Sequence, residues 1–406
     1  MKKRNLRFPD ALSGDRFDSG HSGKGRGMKF IHLSDLHLGR RVNEFSMLED
    51  QRDILNKLLD IVREEAPDGV LLAGDIYDKP VPSAEAVSLL DDFLVRLTGL
   101  GTRVYAISGN HDSPERMSFG GRLMERSGVH LAPVYGGQVS PIVLTDEYGP
   151  VYLYLLPFLK PVQVRRCFPE KAVETTQDAL QTAIGAMAVD PGARNMLVAH
   201  QLVIGAERCE SEEPSVGGTD GVDASVFAPF DYVALGHLHG PQKVGRETIR
   251  YCGTPLKYSF SEAHHHKSVT VVELKEKGRV SVRTVPLTPL REMREVRGSY
   301  EELTFRGFYQ GSGLQESYLR ITLTDEEDIP DAAARLRVIY PYLMRLDYDN
   351  SRTRTAGDLT GAEQVERKSP LELLEEFYAA QNGRSMSQEQ RELAQNMIQE
   401  IWEGET

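Results

Sequence analysis

The sequence contains little cysteine and no long apolar run, and both shortages exclude classes of protein. Only 3 cysteines occur in 406 residues, and none forms a C-x-x-C pair. This argues against a disulfide framework or a cysteine zinc site and fits a reducing cytoplasm. The most apolar run, 151–159, is broken by Pro157 and is too short to span a bilayer. Residues 1–27 lack the apolar core of a secretory signal.

Basic residues are outnumbered by acidic ones, 48 to 60, and the formal net charge is -12. This value argues against an indiscriminate nucleic-acid binder. A bound metal cluster would add local positive charge that the count omits. The remaining composition, with 40% hydrophobic and 27% charged residues, is typical of a globular protein. The length favours more than one domain.

Strand-like and helix-like segments alternate from Met28 onwards. Residues 30–33, 70–73 and 104–107 have the composition of buried strands, and amphipathic helices are predicted between them. This β-α-β-α-β order predicts a largely parallel sheet with helices on its faces. The two helices are predicted at 51–66 and 83–100, the second with Ser83 as N-cap, a further helix at 177–187, and further strands at 151–156, 196–199, 232–235, 249–252 and 269–274.

The pattern changes near residue 288, where a small α+β unit is predicted. Its elements are a strand at 318–323, a helix at 331–338 and a strand at 342–348. A polar linker follows, and then two amphipathic helices at 370–378 and 387–402. These helices fit docking to a partner and fit packing on their own domain equally well. At the other end, the polar, glycine-rich residues 1–27 are predicted to be disordered.

Five short motifs with metal-ligating side chains fall at the ends of predicted strands. Each has a plain structural explanation alone: Asp35 as a helix cap, Asp75 as a turn former, Asp112 as the cap of the next helix, or His200 as a core histidine. Together they predict one crevice, because parallel sheets gather their sites at the carboxyl ends of the strands. The motifs are Asp35-Leu36-His37, Gly74-Asp75, Gly109-Asn110-His111-Asp112, Ala199-His200 and Gly236-His237-Leu238-His239.

The side chains in these motifs also predict the kind of metal. Imidazole and carboxylate ligands without thiolate favour Mn²⁺, Fe²⁺ or Zn²⁺ over Mg²⁺. Seven candidate ligands exceed the need of one ion and fit two ions that share a bridging carboxylate. Such a pair lowers the pKa of a bridging water and stabilises the attacking and leaving oxygens of an in-line displacement. The predicted reaction is phosphoester hydrolysis.

The motifs D-x-H, G-D, G-N-H-D, an isolated H and G-H-x-H resemble those of the calcineurin-like metallophosphoesterase superfamily. Four longer segments narrow this resemblance to the bacterial SbcD family, the nuclease subunits of SbcCD complexes. They are IHLSDLHLG at 31–39, LAGDIYD at 72–78, ALGHLHGPQ at 234–242 and GTPLKYSF at 253–260. The resemblance is specific from about residue 28 to 267 and continues more loosely to the C-terminus.

This resemblance implies a fold and a division into domains. The fold class is an α/β (α+β) metallophosphoesterase sandwich of two β-sheets flanked by helices, with a small α+β capping domain and C-terminal helices. The phosphoesterase domain would span 28–287 and a DNA-facing cap 288–350. A linker at 351–368 would lead to a helical SbcC-binding region at 369–406.

The resemblance also implies roles for the motif residues. His111 would face the scissile phosphate and help the leaving oxygen; the alternative is a supporting role through Asp112. Asp78 stands where some relatives have a second active-site histidine, so that role is absent here. The run His264-His265-His266 has no motif partner and is predicted to be a solvated loop. One metal would be held by Asp35, His37 and His239 and the other by Asn110, His200 and His237, with Asp75 bridging them.

The implied function is that of a Mn²⁺-dependent double-strand exonuclease and single-strand or hairpin endonuclease. It would act on DNA as a homodimer within a heterotetramer, together with an SbcC-type ATPase and away from membranes. The processes are DNA repair, recombination and replication in the cytoplasm. One alternative is a small-molecule phosphatase or phosphodiesterase on the same fold. The other is a scaffold that has lost its metals, although the complete ligand set argues against it.

Overall fold

The computed structural model describes residues 26–212, 221–351, 353, 370–382 and 385–403. The predicted disorder of 1–27 therefore lies outside the described residues except at 26 and 27, and so does most of the predicted linker. The strands, in chain order, are β1 (Met28–Leu33), β2 (Arg41–Val42), β3 (Phe45–Ser46), β4 (Gly69–Ala73), β5 (Arg103–Ile107), β6 (Val129–Ala132), β7 (Ile142–Asp146), β8 (Gly149–Leu156), β9 (Arg194–His200), β10 (Tyr232–Gly236), β11 (Gln242–Val244), β12 (Arg246–Tyr251), β13 (Ser268–Leu274), β14 (Val280–Pro286), β15 (Met293–Gly298), β16 (Tyr318–Leu323) and β17 (Leu343–Tyr348). The helices are α1 (Leu48–Glu65), α2 (Ala84–Gly99), α3 (Pro114–Met117), α4 (Gly121–Arg126), α5 (Pro161–Cys167), α6 (Thr176–Ala186), α7 (Tyr300–Thr304), α8 (Arg306–Tyr309), α9 (Ala332–Ile339), α10 (Pro370–Asn382) and α11 (Gln388–Glu403).

The first sheet has six strands in the order β14-β13-β1-β4-β5-β6. Strands β1, β4, β5 and β6 run parallel, whereas β13 lies antiparallel to β1. Strand β4 is apolar and buried throughout, as expected of a parallel strand that is covered on both faces. Helices α1 and α2 pack on the outer face. The Ser83 hydroxyl accepts a hydrogen bond from the Ala86 N–H, which confirms the predicted N-cap of α2.

The second sheet also has six strands, in the order β11-β12-β10-β9-β8-β7. Strands β8, β9, β10 and β12 run parallel, while β7 and β11 are antiparallel edges. The two sheets pack face to face through a buried apolar cluster that includes Phe30 and Leu71 from the first and Leu155 and Met196 from the second. Helix α6 covers the outer face of the second sheet through Leu180 and neighbouring residues. The predicted sandwich of two sheets flanked by helices is confirmed.

One polar side chain, His32, crosses the interior between the two sheets. It is fully buried, with Nδ1 3.0 Å from the Tyr232 hydroxyl oxygen and Nε2 3.1 Å from the Leu235 carbonyl oxygen. Burial lowers the pKa of His32 to about 3, because the interior does not solvate the charged ring. The neutral ring therefore donates to Leu235 and accepts from Tyr232, and this ties the sheets together.

The chain from Met293 forms a third, smaller sheet in the order β15-β16-β17, with parallel strands and its own buried cluster beneath α7 and α9. Strand β16 has the predicted bounds, Tyr318–Leu323. The Tyr318 hydroxyl donates to Asp50 Oδ2 over 2.7 Å, and Arg291 Nη1 lies 2.9 Å from the same oxygen. These contacts fix the small sheet to the start of α1.

Both predicted C-terminal helices are present. They contact each other through an ion pair of 2.5 Å between Arg391 and Glu375 and a hydrogen bond of 3.1 Å from Gln390 to the Tyr378 hydroxyl. Among the described residues, no helix is both long enough and apolar enough to cross a membrane. Several large apolar side chains of the two helices are exposed to solvent, namely Leu374, Phe377, Leu393 and Met397.

Candidate metal centre

The predicted site residues lie at, or on the loops just after, the carboxyl ends of five parallel strands. The ends of β1, β4 and β5 in the first sheet carry Asp35 and His37, Asp75, and Asn110 and His111 in turn. In the second sheet, β9 ends at His200, and the β10 end carries His237 and His239. Because the sheets are stacked with these ends together, the loops of both meet above one edge of the sandwich. The structure brings all eight residues into one cluster.

The backbone turns sharply at four of these residues. Asp35, His37, Asp75 and His237 have positive φ values of 52°, 43°, 47° and 108°. A residue with a Cβ atom adopts this conformation only when its surroundings hold it there, and the strain is often found at functional sites. Here the Asp35 N–H donates to Gly74 O and the His37 N–H donates to Asp75 O, each over 3.0 Å. The turns aim the side chains back over the strand ends.

Two glycines allow the loops to approach this closely. A Cβ atom at Gly109 would lie 2.0 Å from Asp75 Oδ1, where it would displace the carboxylate. A Cβ atom at Gly236 would lie 1.8 Å from Ala73 O and 2.7 Å from His200 Nδ1. The G-N-H-D and G-H-x-H motifs therefore need glycine at their first positions, because neighbouring loops and strands pass too close for a side chain.

Asp35, His37 and His239 form one potential ligand group, with one donor atom from each residue within 4.8 Å of the others. His37 Nε2 lies 3.2 Å from His239 Nε2, and the Asp35 carboxylate accepts the His237 N–H. Burial holds the pKa of His37 well below its usual value, so its ring is neutral. Two imidazole rings with nitrogens directed at each other and at a carboxylate are a donor set that fits a divalent cation.

Asp75 and His200 join the remaining predicted ligands. His200 Nε2 lies 3.4 Å from Asp75 Oδ2, and Asn110 Oδ1 lies 3.0 Å from both His200 Nε2 and His237 Nδ1. Asp75 Oδ2 is also 3.8 Å from His37 Nε2, in the first group. Asp75 therefore lies between the two groups, with Oδ2 within 3.8 Å of a ring nitrogen in each.

Ionisation differs between the two buried carboxylates: burial would raise the pKa of Asp75, but the neighbouring His200 ring holds that pKa well below its usual value. Burial, aided by the nearby Asp75 carboxylate, raises the pKa of Asp35 to about 6. Burial alone would lower the pKa of His200, but Asp75 and Asp35 raise it to about 9. For His237, burial and the neighbouring His200 lower the pKa to about 3. Divalent cations would stabilise the Asp35 carboxylate as an anion as well, so the residues fit a dimetal phosphoesterase site.

His111 lies at the rim of this centre. Its Nδ1 is 3.0 Å from Asp78 O, and its Nε2 lies 3.9 Å from Asp75 Oδ2. The Nε2 atom therefore faces the cluster from the more open side, since the ring is 19% exposed. The neighbouring Asp112 carboxylate does not cap a helix and instead accepts N–H groups from Ile76, Tyr77 and Gly109.

Several residues that contact the centre lie outside the predicted set of ligands. Asp78 forms a 3.1 Å ion pair with Arg40, whose guanidinium also donates to Ser211 O and stacks over the Tyr258 ring. Glu262 lies beside His239, with 3.4 Å between its Oε1 and the ring Nδ1. Its only signal in the sequence is its place two residues after the GTPLKYSF segment. In the histidine run, His264 and His266 are exposed, as predicted, but His265 is half-buried.

Comparison with known families agrees with this architecture. Residues 28–241 match the model of the calcineurin-like phosphoesterases, and residues 289–382 match a model described as the type 5 capsule protein repressor C-terminal domain. The paired sheets and the shared His and Asp clusters at their edge therefore define a metallophosphoesterase, a class of hydrolase.

Individual relatives narrow this class. The chain is 31% identical over 385 residues to the SbcD subunit of the SbcCD nuclease of Staphylococcus epidermidis, covering 93% of this chain and 100% of that protein. It is 35% identical over 323 residues to the SbcD subunit of the SbcCD nuclease of Staphylococcus saprophyticus, covering 79% and 84%. A solved dimetal phosphatase from Danio rerio covers 65% of this chain and 100% of its own, at 14% identity and a TM-score of 0.41. The chain belongs to the SbcD family of calcineurin-like phosphoesterases.

Proposed function

We propose that this chain is a Mn²⁺-dependent DNA nuclease, a double-strand exonuclease and a single-strand or hairpin endonuclease. The observation that carries this proposal is the position of Asp75 between two groups of potential metal ligands, each with two histidines. The relatives named as SbcD subunits of the SbcCD nuclease support DNA as the substrate. The biological setting is DNA break processing in repair, recombination and replication.

The ligand assignment follows the two groups. The set Asp35, His37 and His239 would hold one ion, the set Asn110, His200 and His237 the other, and Asp75 both. When bound, two divalent ions would lower the pKa of a water molecule and offset the negative charge of the phosphate oxygens. Mn²⁺ fits a mixture of imidazole, carboxylate and amide oxygen donors without thiolate.

His111 is the proposed catalytic residue outside this ligand set. With Nδ1–H donating to Asp78 O, a protonated ring also carries a proton on Nε2, which faces the cluster. The bond between phosphorus and the leaving oxygen breaks as that oxygen takes the proton from Nε2. The water oxygen forms the new bond to phosphorus, the proton that the water loses passes to solvent, and His111 is reprotonated from solvent. Asp112 positions His111 indirectly, because it fixes the backbone of both neighbouring loops.

The parts outside the phosphoesterase sandwich have proposed roles in the complex. The domain boundaries are 28–287 for the nuclease, 288–350 for a DNA-facing cap and 369–406 for the region that binds an SbcC-type ATPase. The exposed Leu374, Phe377 and Leu393 support this docking role, because a partner helix would cover them. The assembly is a homodimer within a heterotetramer, in the cytoplasm and away from membranes.

The test is hydrolysis of linear and hairpin DNA with Mn²⁺ by the wild-type chain and by Asp75→Asn. Each is assayed with and without an SbcC-type partner and ATP, and also on a simple aryl phosphodiester. Cleavage of DNA that the mutant loses and the partner extends supports the proposal. Hydrolysis of the simple phosphodiester without any DNA cleavage would move the function to the small-molecule alternative. A purified protein that binds no metal would point to a scaffold.

A further inference from the structure

His239 differs from the other site histidines in what its second ring nitrogen contacts. Its Nδ1 lies 2.8 Å from the Ser211 hydroxyl oxygen, and that hydroxyl donates to Glu262 Oε1 over 2.6 Å. Because the single hydroxyl proton goes to the carboxylate, the Ser211 oxygen accepts the proton on His239 Nδ1. This chain of donors fixes one tautomer and leaves the lone pair of Nε2 directed at the metal centre.

The Glu262 carboxylate is itself held rigidly. It is fully buried, and its second oxygen accepts a hydrogen bond from the buried Lys267 ammonium group. Lys267 also donates to Thr254 Oγ1 over 2.7 Å and to His239 O over 2.9 Å. The ion pair offsets the cost of burying both charges, and it ties the carboxylate to the backbone of the histidine that the carboxylate supports.

The other rings have weaker support. His200 Nδ1 lies 2.8 Å from Ala73 O, and His111 Nδ1 lies 3.0 Å from Asp78 O, so both contact neutral carbonyl groups. His37 Nδ1 is buried without a hydrogen-bond partner among the described residues, and the Asp78 carboxylate faces it only from 3.9 Å. A carboxylate behind an imidazole raises its basicity and orients it, and its loss commonly costs 10–100-fold in metal affinity, roughly.

We propose that Ser211 and Glu262 are positioning residues, which act through His239 to strengthen one of the two metal positions. The inference rests on the metal site of the proposed function. It implies an unequal pair: the ion held by Asp35, His37 and His239 is the one that depends on Ser211 and Glu262. The motifs contain neither residue, and the two are brought to His239 by separate loops.

The test is titration of the metal-free, full-length chain with Mn²⁺, followed by metal analysis and electron paramagnetic resonance. Ser211→Ala should lower the affinity for one of the two Mn²⁺ ions about 10-fold, and Glu262→Gln should lower the same affinity by roughly 10–100-fold. At limiting Mn²⁺ the signal of a spin-coupled pair should give way to that of an isolated ion. Ser261→Ala is the matched control, because its hydroxyl accepts the N–H of Glu210, the residue next to Ser211.

Glu262→Gln leaves Lys267 without its partner and should therefore lower the melting temperature. Ser211→Ala keeps the ion pair, so its Mn²⁺ affinity is the measurement that tests the positioning role. Wild-type affinity for both ions in Ser211→Ala would overturn the inference. A wild-type chain that binds no Mn²⁺ would overturn it together with the proposed metal site. A chain that binds two ions and cleaves no DNA would contradict the nuclease proposal alone, while the positioning role is judged from the binding data.

Discussion

Replacement of His32 by Gln should change how the stability of the fold depends on pH. Burial lowers the pKa of His32 from 6.5 to about 3. The unfolded chain therefore takes up the proton first as the pH falls. The contribution of the neutral His32 ring to the free energy of unfolding is fully present above about pH 6.5 and is lost as the pH falls towards 3. Between pH 7 and pH 5 the expected loss from this one ring is about 2 kcal/mol, since one pKa unit corresponds to about 1.4 kcal/mol. The value changes little for any folded-state pKa below about 4.

The assay is urea unfolding of the metal-free chain at pH 5, 6 and 7. Other histidines titrate as well, so the quantity to compare is the difference between wild type and His32→Gln. The glutamine amide keeps a donor for Leu235 and an acceptor for Tyr232. The variant should therefore fold and lose about 2 kcal/mol less stability from pH 7 to pH 5. His264→Gln, on an exposed loop, is the control and should show the same loss of unfolding free energy from pH 7 to pH 5 as the wild type. If wild type and His32→Gln lost the same free energy of unfolding from pH 7 to pH 5, the interpretation of His32 as a neutral ring hydrogen-bonded between the sheets would be refuted.

Three further predictions concern the site and the small sheet. Asp75→Asn and His111→Leu should each abolish hydrolysis, but only Asp75→Asn should reduce bound Mn²⁺ in metal analysis; equal metal loss would contradict the role of His111. Gly236→Ala should destabilise the fold by about 1–3 kcal/mol and lower metal content, since its Cβ would lie 1.8 Å from a carbonyl oxygen; wild-type melting and metal content would exclude this. Tyr318→Phe should cost about 1–3 kcal/mol in urea unfolding, because the buried Asp50 carboxylate loses a donor at 2.7 Å. An unchanged midpoint would show that Asp50 is satisfied without it.

The sequence predicts local features well where local chemistry decides them. Ser83 caps its helix because a hydroxyl before an apolar-periodic segment satisfies a free N–H wherever the helix lies. Asp112 shows the limit, since the sequence allowed it to cap a helix. It instead accepts N–H groups from two separate loops, and this depends on how β4 and β5 are paired.

Features that need distant segments were harder to predict. Strand β13 pairs with β1 across more than two hundred residues, so alternation of strands and helices does not reveal that β13 joins the first sheet. Strand β14 was missed because its side chains are partly or wholly exposed and show no apolar run. The contact of Glu262 with His239 depends on the buried Lys267, five residues after Glu262. No ligand motif contains Glu262 or Lys267.

The order of the site residues along the chain has a consequence for synthesis. They extend from Asp35 in the first sheet to His239 in the second, and both sheets must be stacked before their loops meet. On the ribosome, a nascent chain therefore has an incomplete set of ligands until the segment with His239 has left the exit tunnel. Because binding requires the assembled site, metal uptake becomes a late step that reports completion of the sandwich. A truncated chain that ends before β10 would be released without a nuclease centre.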